Sequence, residues 1–179
     1  MTSTFRFAAT LAAVAVVAAC SSTPKKVPPP CPRVSILADA AHLTQFRPGE
    51  GRDITDVQLQ AEITSYHGTC DYDWDKQIMT VSLQVGIDAD RGAGAKERQA
   101  NLSYFVAIPA FFPSADAKSV IPVPLTFPSN TDRIRYVDDQ VDLAIPIKKL
   151  SDMSKYEIFI GFQLDQDQID YNRRQHISQ

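Results

Sequence analysis

The sequence has few of the residues on which catalytic and metal sites depend. Its 179 residues include three histidines, three cysteines and one tryptophan. The histidines, His42, His67 and His176, are far apart, and no Gly-x-Ser-x-Gly nucleophile motif is present. A zinc site would need a second histidine at ligand spacing from His67 and Cys70, and the sequence has none. We therefore predict that the protein is not an enzyme and holds no cofactor.

A strong charge of either sign is also lacking. The chain has 18 basic and 21 acidic residues, a net charge of −3, and no run of like charges longer than two residues. Nucleic acids and anionic lipid surfaces bind basic patches, which this mixture of charges does not provide. We therefore expect no nucleic-acid partner and no electrostatic attraction to a membrane.

Long apolar segments are missing except near the N-terminus. One run extends from Phe7 to Ala19, and it is shorter than the roughly 20 residues that cross a bilayer. It follows a short segment with a single arginine, Arg6, and ends in small residues, which is typical of a secretory signal peptide. Residues 1–19 are therefore predicted to be a signal peptide that is removed on export.

The end of this segment, Val17-Ala18-Ala19-Cys20, resembles the lipobox of bacterial lipoproteins. The resemblance implies that Cys20 becomes the lipidated first residue, and that the protein is held in the cell envelope with its domain in the periplasm. Ser21 resembles the residue that follows the cysteine in outer-membrane lipoproteins, which favours the outer over the inner membrane. Two or three acyl chains give a stable anchor, because a single chain binds only reversibly. The alternative is an ordinary secretory signal with Cys20 in a disulfide.

Residues 20–32 are predicted to be a tether between the anchor and the domain. Four of the ten residues 21–30 are prolines, and such a segment favours an extended helix that reaches about 30 Å. Two cysteines remain beyond Cys20, and in an oxidising compartment Cys31 and Cys70 are predicted to form a disulfide. Free thiols and a metal site are the weaker alternatives.

From Arg33 onward, apolar and polar residues alternate with a period of two, which predicts β-strands. Prolines at 122, 124 and 128 indicate that one of these strands lies at a sheet edge. The predicted strands lie near residues 34–36, 56–67, 77–88, 102–112, 121–128, 141–147 and 156–164, and the one at 102–112 is apolar on both faces, as in a central strand. No segment has a convincing amphipathic-helix pattern. Residues 33–179 are therefore predicted to be all-β, an immunoglobulin-like antiparallel β-sandwich of about seven strands.

The segment Leu150 to Tyr156, followed by an alternating strand, resembles the tyrosine corner of immunoglobulin and fibronectin type III domains. The resemblance implies that Tyr156 opens a strand and that its hydroxyl group bonds to the backbone of the corner. The chain departs from the pattern because residues 165–174 make a poor last strand and Cys31 precedes the first one. The whole chain also resembles small Gram-negative lipoproteins with no assigned activity, through Cys31-Pro32, Tyr104–Ala107 and Gly161–Leu164.

Three aspartates, Asp71, Asp73 and Asp75, have the spacing found at the start of an EF-hand calcium loop. The rest of that motif is missing, because Lys76 replaces the glycine and Ser82 stands where the bidentate glutamate belongs. We therefore interpret the segment as an acidic hairpin turn and predict no metal site. A calcium site at these three residues is the weaker alternative.

The segment from Tyr104 to Phe112 is apolar on both faces and includes Phe105, Phe111 and Phe112. These rings belong to the core or, if one face of the sheet is open, to a protein-binding surface. Together these features predict a membrane-anchored envelope lipoprotein that acts as a protein-interaction or assembly-support module without catalysis. Its partners would be the membrane, through the lipid, and an envelope protein. The alternative is a binder or carrier of a small apolar ligand or lipid.

Overall fold

The structure is a computed structural model that describes residues 27–49, 51–147 and 149–177. The predicted signal peptide, the lipobox with Cys20, and most of the tether lie outside these residues. No helix in the described part of the chain is both long enough and apolar enough to span a bilayer.

The alternating segments form β-strands, and the predicted all-β sandwich is confirmed. The described residues contain nine strands, more than the seven or so expected, and one α-helix. The strands are β1 (Arg33–Ile36), β2 (His42–Phe46), β3 (Val57–Asp73), β4 (Ile78–Arg91), β5 (Gln99–Ala107), β6 (Lys118–Thr126), β7 (Arg133–Val137), β8 (Val141–Pro146) and β9 (Glu157–Phe162), and the helix is α1 (Gln166–Ile177).

The strands form two sheets that pack face to face. Sheet A has the order β1-β9-β5-β6. Sheet B has the order β2-β3-β4, and the short strands β7 and β8 both pair with the remaining side of β4. All pairings are antiparallel except that of β1 with β9, which is parallel.

The core lies between the sheets and consists of the inward residues of each alternating strand. On β4 the apolar residues of the alternation predicted at 77–88 are at most 3% exposed: Met79, Val81, Leu83, Val85 and Ile87. They face the buried residues of sheet A, namely Leu102, Tyr104, Val106, Ile158, Ile160 and Phe162. Burial of this apolar area is the main term that stabilises the sandwich.

A β-bulge in β3 changes which of its residues face the core. The pairing with β4 shifts between Ile63 and Ser65. Odd-numbered residues are buried up to Ile63, whereas beyond the bulge the even-numbered Tyr72 is buried. Successive side chains of a strand point to opposite faces. One additional residue at a bulge therefore moves every later side chain to the other face of the sheet. The alternation predicted for residues 57–63 is therefore confirmed, but it does not continue along β3.

The sequence did not indicate β2, β7 or α1. Each of these two strands has only five residues. In β7 the alternation of Arg133 and Arg135 with Ile134 and Tyr136 is a signal that could have located the strand. Helix α1 lacks a continuous apolar face, but its start carries a reciprocal capping box. The Asp165 carboxylate accepts from the Gln168 backbone N–H (2.8 Å), and the Gln168 side chain accepts from the Asp165 N–H (3.0 Å). This Asp-x-x-Gln pattern is the signal that could have located the helix.

Strand β6 lies at the edge of sheet A, as its prolines predicted. The Ile108 N–H donates to the Ala117 carbonyl and the Phe127 N–H to the Arg98 carbonyl, so odd-numbered positions of β6 bond towards β5. The nitrogen of Pro122, at an even-numbered position, therefore points to the open side of β6. No neighbouring strand needs a hydrogen-bond donor there. Strand β5 is central, but it ends at Ala107, earlier than the predicted 112.

Tyr156 forms the predicted corner. Its hydroxyl group donates to the Pro146 carbonyl (3.3 Å) at the end of β8, and β9 starts at the next residue. In an immunoglobulin sandwich the strand after this tyrosine lies between two neighbours, the second of which comes from the C-terminal end of the chain. Here β9 lies between β5 and β1. The N-terminal strand β1 therefore takes the position for which residues 165–174 were a poor candidate.

Two links join β1 of sheet A, or the residues just before it, to β3 of sheet B. The predicted disulfide between Cys31 and Cys70 is present, with 5.9 Å between the Cα atoms. The Tyr66 hydroxyl group also donates to the Val34 carbonyl (3.0 Å). The end of the tether is thereby attached to the sandwich near the turn that connects β3 and β4.

Candidate interaction surfaces

The outer face of sheet A carries a row of partly exposed apolar side chains. Phe159 on β9, Phe105 on β5 and Val120 on β6 point away from the core, because their neighbours in each strand point inward. Val120 is 50% exposed, and the two rings are half-buried. The Lys118 ammonium lies 4.3 Å above the Phe105 ring centre. We call Phe105, Val120 and Phe159 the outer aromatic row.

A glycine permits close packing beside this row. Gly161 pairs with Phe105 across the two strands. A Cβ atom at Gly161 would lie 2.8 Å from the Ala40 Cβ and 3.0 Å from the Phe105 Cζ. The short turn Ala38–Ala40 can therefore close over this end of the sheet only because residue 161 has no side chain.

The three predicted aromatic residues do not form one surface. Phe105 belongs to the outer aromatic row, whereas Phe111 packs edge-on against Tyr156, with 5.8 Å between ring centres. Phe112 is 80% exposed in the connection between β5 and β6. The prediction missed Phe159 and Val120. Alternation within β9 and β6 shows which side chains share a face of each strand, but the pairing with β5 is needed to show that these two residues lie beside Phe105.

The tether joins the domain at one end of the sandwich, which we call the anchor end. Cys31 is bonded to Cys70, near the turn that connects β3 and β4. Arg33 pairs with Glu157 at the start of β9, and Phe159 pairs with Ala107 at the end of β5. The connection that holds Phe112 therefore lies at this same end, and the strands extend away from the tether.

A buried carboxyl group connects the two sheets inside the core. Asp138 is 7% exposed and accepts hydrogen bonds from the hydroxyl groups of Tyr104 (2.6 Å) and Tyr136 (2.9 Å). Tyr104 belongs to sheet A and Tyr136 to sheet B. Burial raises the pKa of Tyr104 above its ordinary range and that of Tyr136 to about 12. Both phenols therefore remain protonated donors at neutral pH, and the arrangement is structural.

The three aspartates of the EF-hand-like segment have separate surroundings. Asp73 accepts from the backbone N–H groups of Asp75 (3.0 Å) and Lys76 (2.9 Å), and these bonds close the turn. The Lys76 backbone and ammonium groups hold the pKa of Asp73 below its usual value. Asp71 is exposed and paired with Thr80 in the β3–β4 ladder. Within residues 27–49, 51–147 and 149–177, no group of three or more histidine, cysteine, aspartate or glutamate side chains is placed to bind a metal ion.

A groove of about 600 Å³ lies between β2, the loop after it and α1. Phe46 contacts Tyr171 edge-on at 5.2 Å, and the Arg52 guanidinium lies 5.2 Å from the Phe46 ring centre. Arg47 forms an ion pair with the buried Asp56 beside the groove. The lining is mainly polar and charged, which does not suit an apolar ligand.

Comparison of the chain with protein-family models, curated proteins and solved structures gives no match. The surfaces are therefore interpreted from their own geometry.

Proposed function

We propose that this protein is an envelope lipoprotein whose sandwich domain binds another envelope protein through the outer aromatic row. The supporting observation is that Phe105, Phe159 and Val120 lie together on the outer face of sheet A, with Val120 half exposed and the two rings half-buried. Apolar side chains grouped on an open sheet face are typical of protein interaction sites. The Lys118 side chain beside Phe105 provides a polar rim, as such interfaces commonly have.

In this proposal the lipid on Cys20 holds the protein in the membrane, with the outer membrane favoured by Ser21. The tether joins the domain at the anchor end, where Cys31 is bonded to Cys70. Because the strands extend away from that end, the outer aromatic row lies along the side of the domain. The row begins near the anchor end, because Phe159 pairs with Ala107 there. The predicted tether, with a reach of about 30 Å, therefore has to separate the row from the lipid.

The alternative function, binding or carrying a small apolar ligand, has one supporting observation. An apolar slot between β1 and β3 is lined by Cys31, Pro32, Val34, Val81 and Leu83. Its volume is about 280 Å³, whereas small-molecule pockets usually measure about 300–1,000 Å³. The slot is too small for a lipid chain, so protein interaction is the better supported function.

The test is crosslinking in cells, followed by purification of the full-length protein and mass spectrometry of what is attached to it. We expect Val120→Asp to reduce recovery of the bound envelope protein about tenfold, because it places a charge in an apolar contact. Val137→Asp is the matched control, since Val137 is similarly exposed (59%) but lies on sheet B. Equal recovery from the two variants would contradict the proposed surface.

The anchor is tested separately with Cys20→Ser. We expect that no processed form of this variant sediments with the membranes, because a mature chain without acyl chains has no lipid anchor. It would be found soluble or with its signal peptide uncleaved. The readout is fractionation with immunodetection, and normal membrane sedimentation of a processed Cys20→Ser chain would rule out the lipid anchor.

A further inference from the structure

One edge of sheet B remains open along the middle of β3. Strand β2 pairs only with residues 57–62 of β3, whereas β4 pairs with nearly the whole strand. Residues 64–69 therefore have a strand on one side only, among the residues that the structure describes. All six of them are exposed. We call residues 64–69 the β3 edge.

Three other strand edges, those of β6, β1 and β2, are protected in ways that the β3 edge is not. Pro122 removes a donor from the open side of β6, and the Val34 carbonyl of β1 is occupied by the Tyr66 hydroxyl group. On β2, the Asn172 side chain of α1 donates to the His42 carbonyl (2.8 Å). Natural sheets use prolines, charges and coverage to prevent edge pairing. The β3 edge, Thr-Ser-Tyr-His-Gly-Thr, has no proline and no Lys, Arg, Asp or Glu.

The charges at its two ends indicate what could add to this edge. Glu62 and Asp71 flank it, and both are exposed. Antiparallel pairing with a second copy, with residue 64 opposite residue 69, would direct Asp71 of the other chain towards Glu62, where His42 of β2 already lies, and would bring like charges together. Like charges opposite one another destabilise strand pairing. A segment with basic residues at its ends would instead be attracted.

We propose that the β3 edge accepts an extended segment of a partner protein as an additional strand, and that this segment is uncharged in the middle and basic at both ends. Strand addition is a common mode of peptide recognition, in which backbone hydrogen bonds provide the affinity. The inference rests on the proposed role as an interaction module, but it uses a different surface from the outer aromatic row.

The test measures amide hydrogen exchange of the full-length protein in detergent with a synthetic peptide present. The peptide has eight residues, six of alternating valine and threonine, with lysine at both ends. A second peptide with glutamate at both ends is the control. We expect the lysine peptide to slow exchange in residues 64–69 about tenfold, and the glutamate peptide to have little effect.

Charge reversal at the flanks makes the test specific. In the Glu62→Lys/Asp71→Lys variant we expect the preference to switch to the glutamate peptide, which also shows that the variant is folded. No slowing with either peptide, equal slowing with both, or slowing confined to other strands would overturn the proposal. In Val120→Asp we expect the lysine peptide still to slow exchange in residues 64–69, even if crosslinks to the envelope protein are lost. The two experiments therefore test the β3 edge and the outer aromatic row separately.

Discussion

Asp138→Ala is expected to lower the free energy of unfolding by about 3 kcal/mol. The substitution removes two hydrogen bonds to a buried carboxyl group and leaves the fully buried Tyr104 hydroxyl without its partner. Because Tyr104 and Tyr136 come from different sheets, the loss weakens the contact between the layers. A domain stability of about 5–15 kcal/mol makes this a large fraction of the total. Urea unfolding of the mature chain in detergent measures it.

Two further variants identify the cause. Asp139→Ala removes the neighbouring carboxyl group, which is exposed, and is expected to change stability by less than about 0.5 kcal/mol. Tyr104→Phe keeps the ring and removes one donor, so an intermediate loss of about 2 kcal/mol is expected. A similar loss in the Asp138 and Asp139 variants would mean that the buried network contributes little.

Replacing both Cys31 and Cys70 with serine is expected to lower the free energy of unfolding by about 4 kcal/mol in the chain-entropy account. The two residues are 39 positions apart, so without the bond the unfolded chain regains the freedom of a long loop. Strand β1 has only four residues and pairs with a single neighbour. Its amides should therefore exchange faster than those of β4 in the variant.

Reductant provides the control for this prediction. The unmodified protein should shift to the urea midpoint of the double variant when reduced, whereas the double variant should not respond. If reduction leaves the midpoint of the unmodified protein unchanged, the bond does not stabilise the fold. Faster exchange throughout the domain, with β1 no faster than β4, would mean that β1 does not open separately.

Several features of this protein were predictable from local sequence. The alternation of Val57–Ile63 and of Met79–Ile87 identified the inward faces, because side chains of a strand alternate whatever its neighbours are. The prolines of β6 predicted an edge, since a residue without an N–H cannot donate within a ladder. The disulfide was predicted from two cysteines in a chain expected to be exported, and the Tyr156 hydrogen bond was implied by the resemblance of residues 150–156 to a tyrosine corner.

Other features depend on contacts between distant segments. The bulge after Ile63, the β1–β9 pairing and the Tyr104–Asp138–Tyr136 network each join residues whose relation is set only when the sheets pack. The two candidate surfaces belong to this group. Phe105, Val120 and Phe159 share a face only through strand register, and the β3 edge is open only because β2 begins at His42, which pairs with Glu62.

The sequence alone therefore determined the all-β class, the inward faces and the disulfide, since these follow from period, composition and residue chemistry within short segments. It also predicts the signal peptide and the lipid anchor. The tertiary structure decided strand order, register and which edges and faces remain uncovered. The physical reason is that an exposed surface is defined by what does not pack against it, and no local pattern records that.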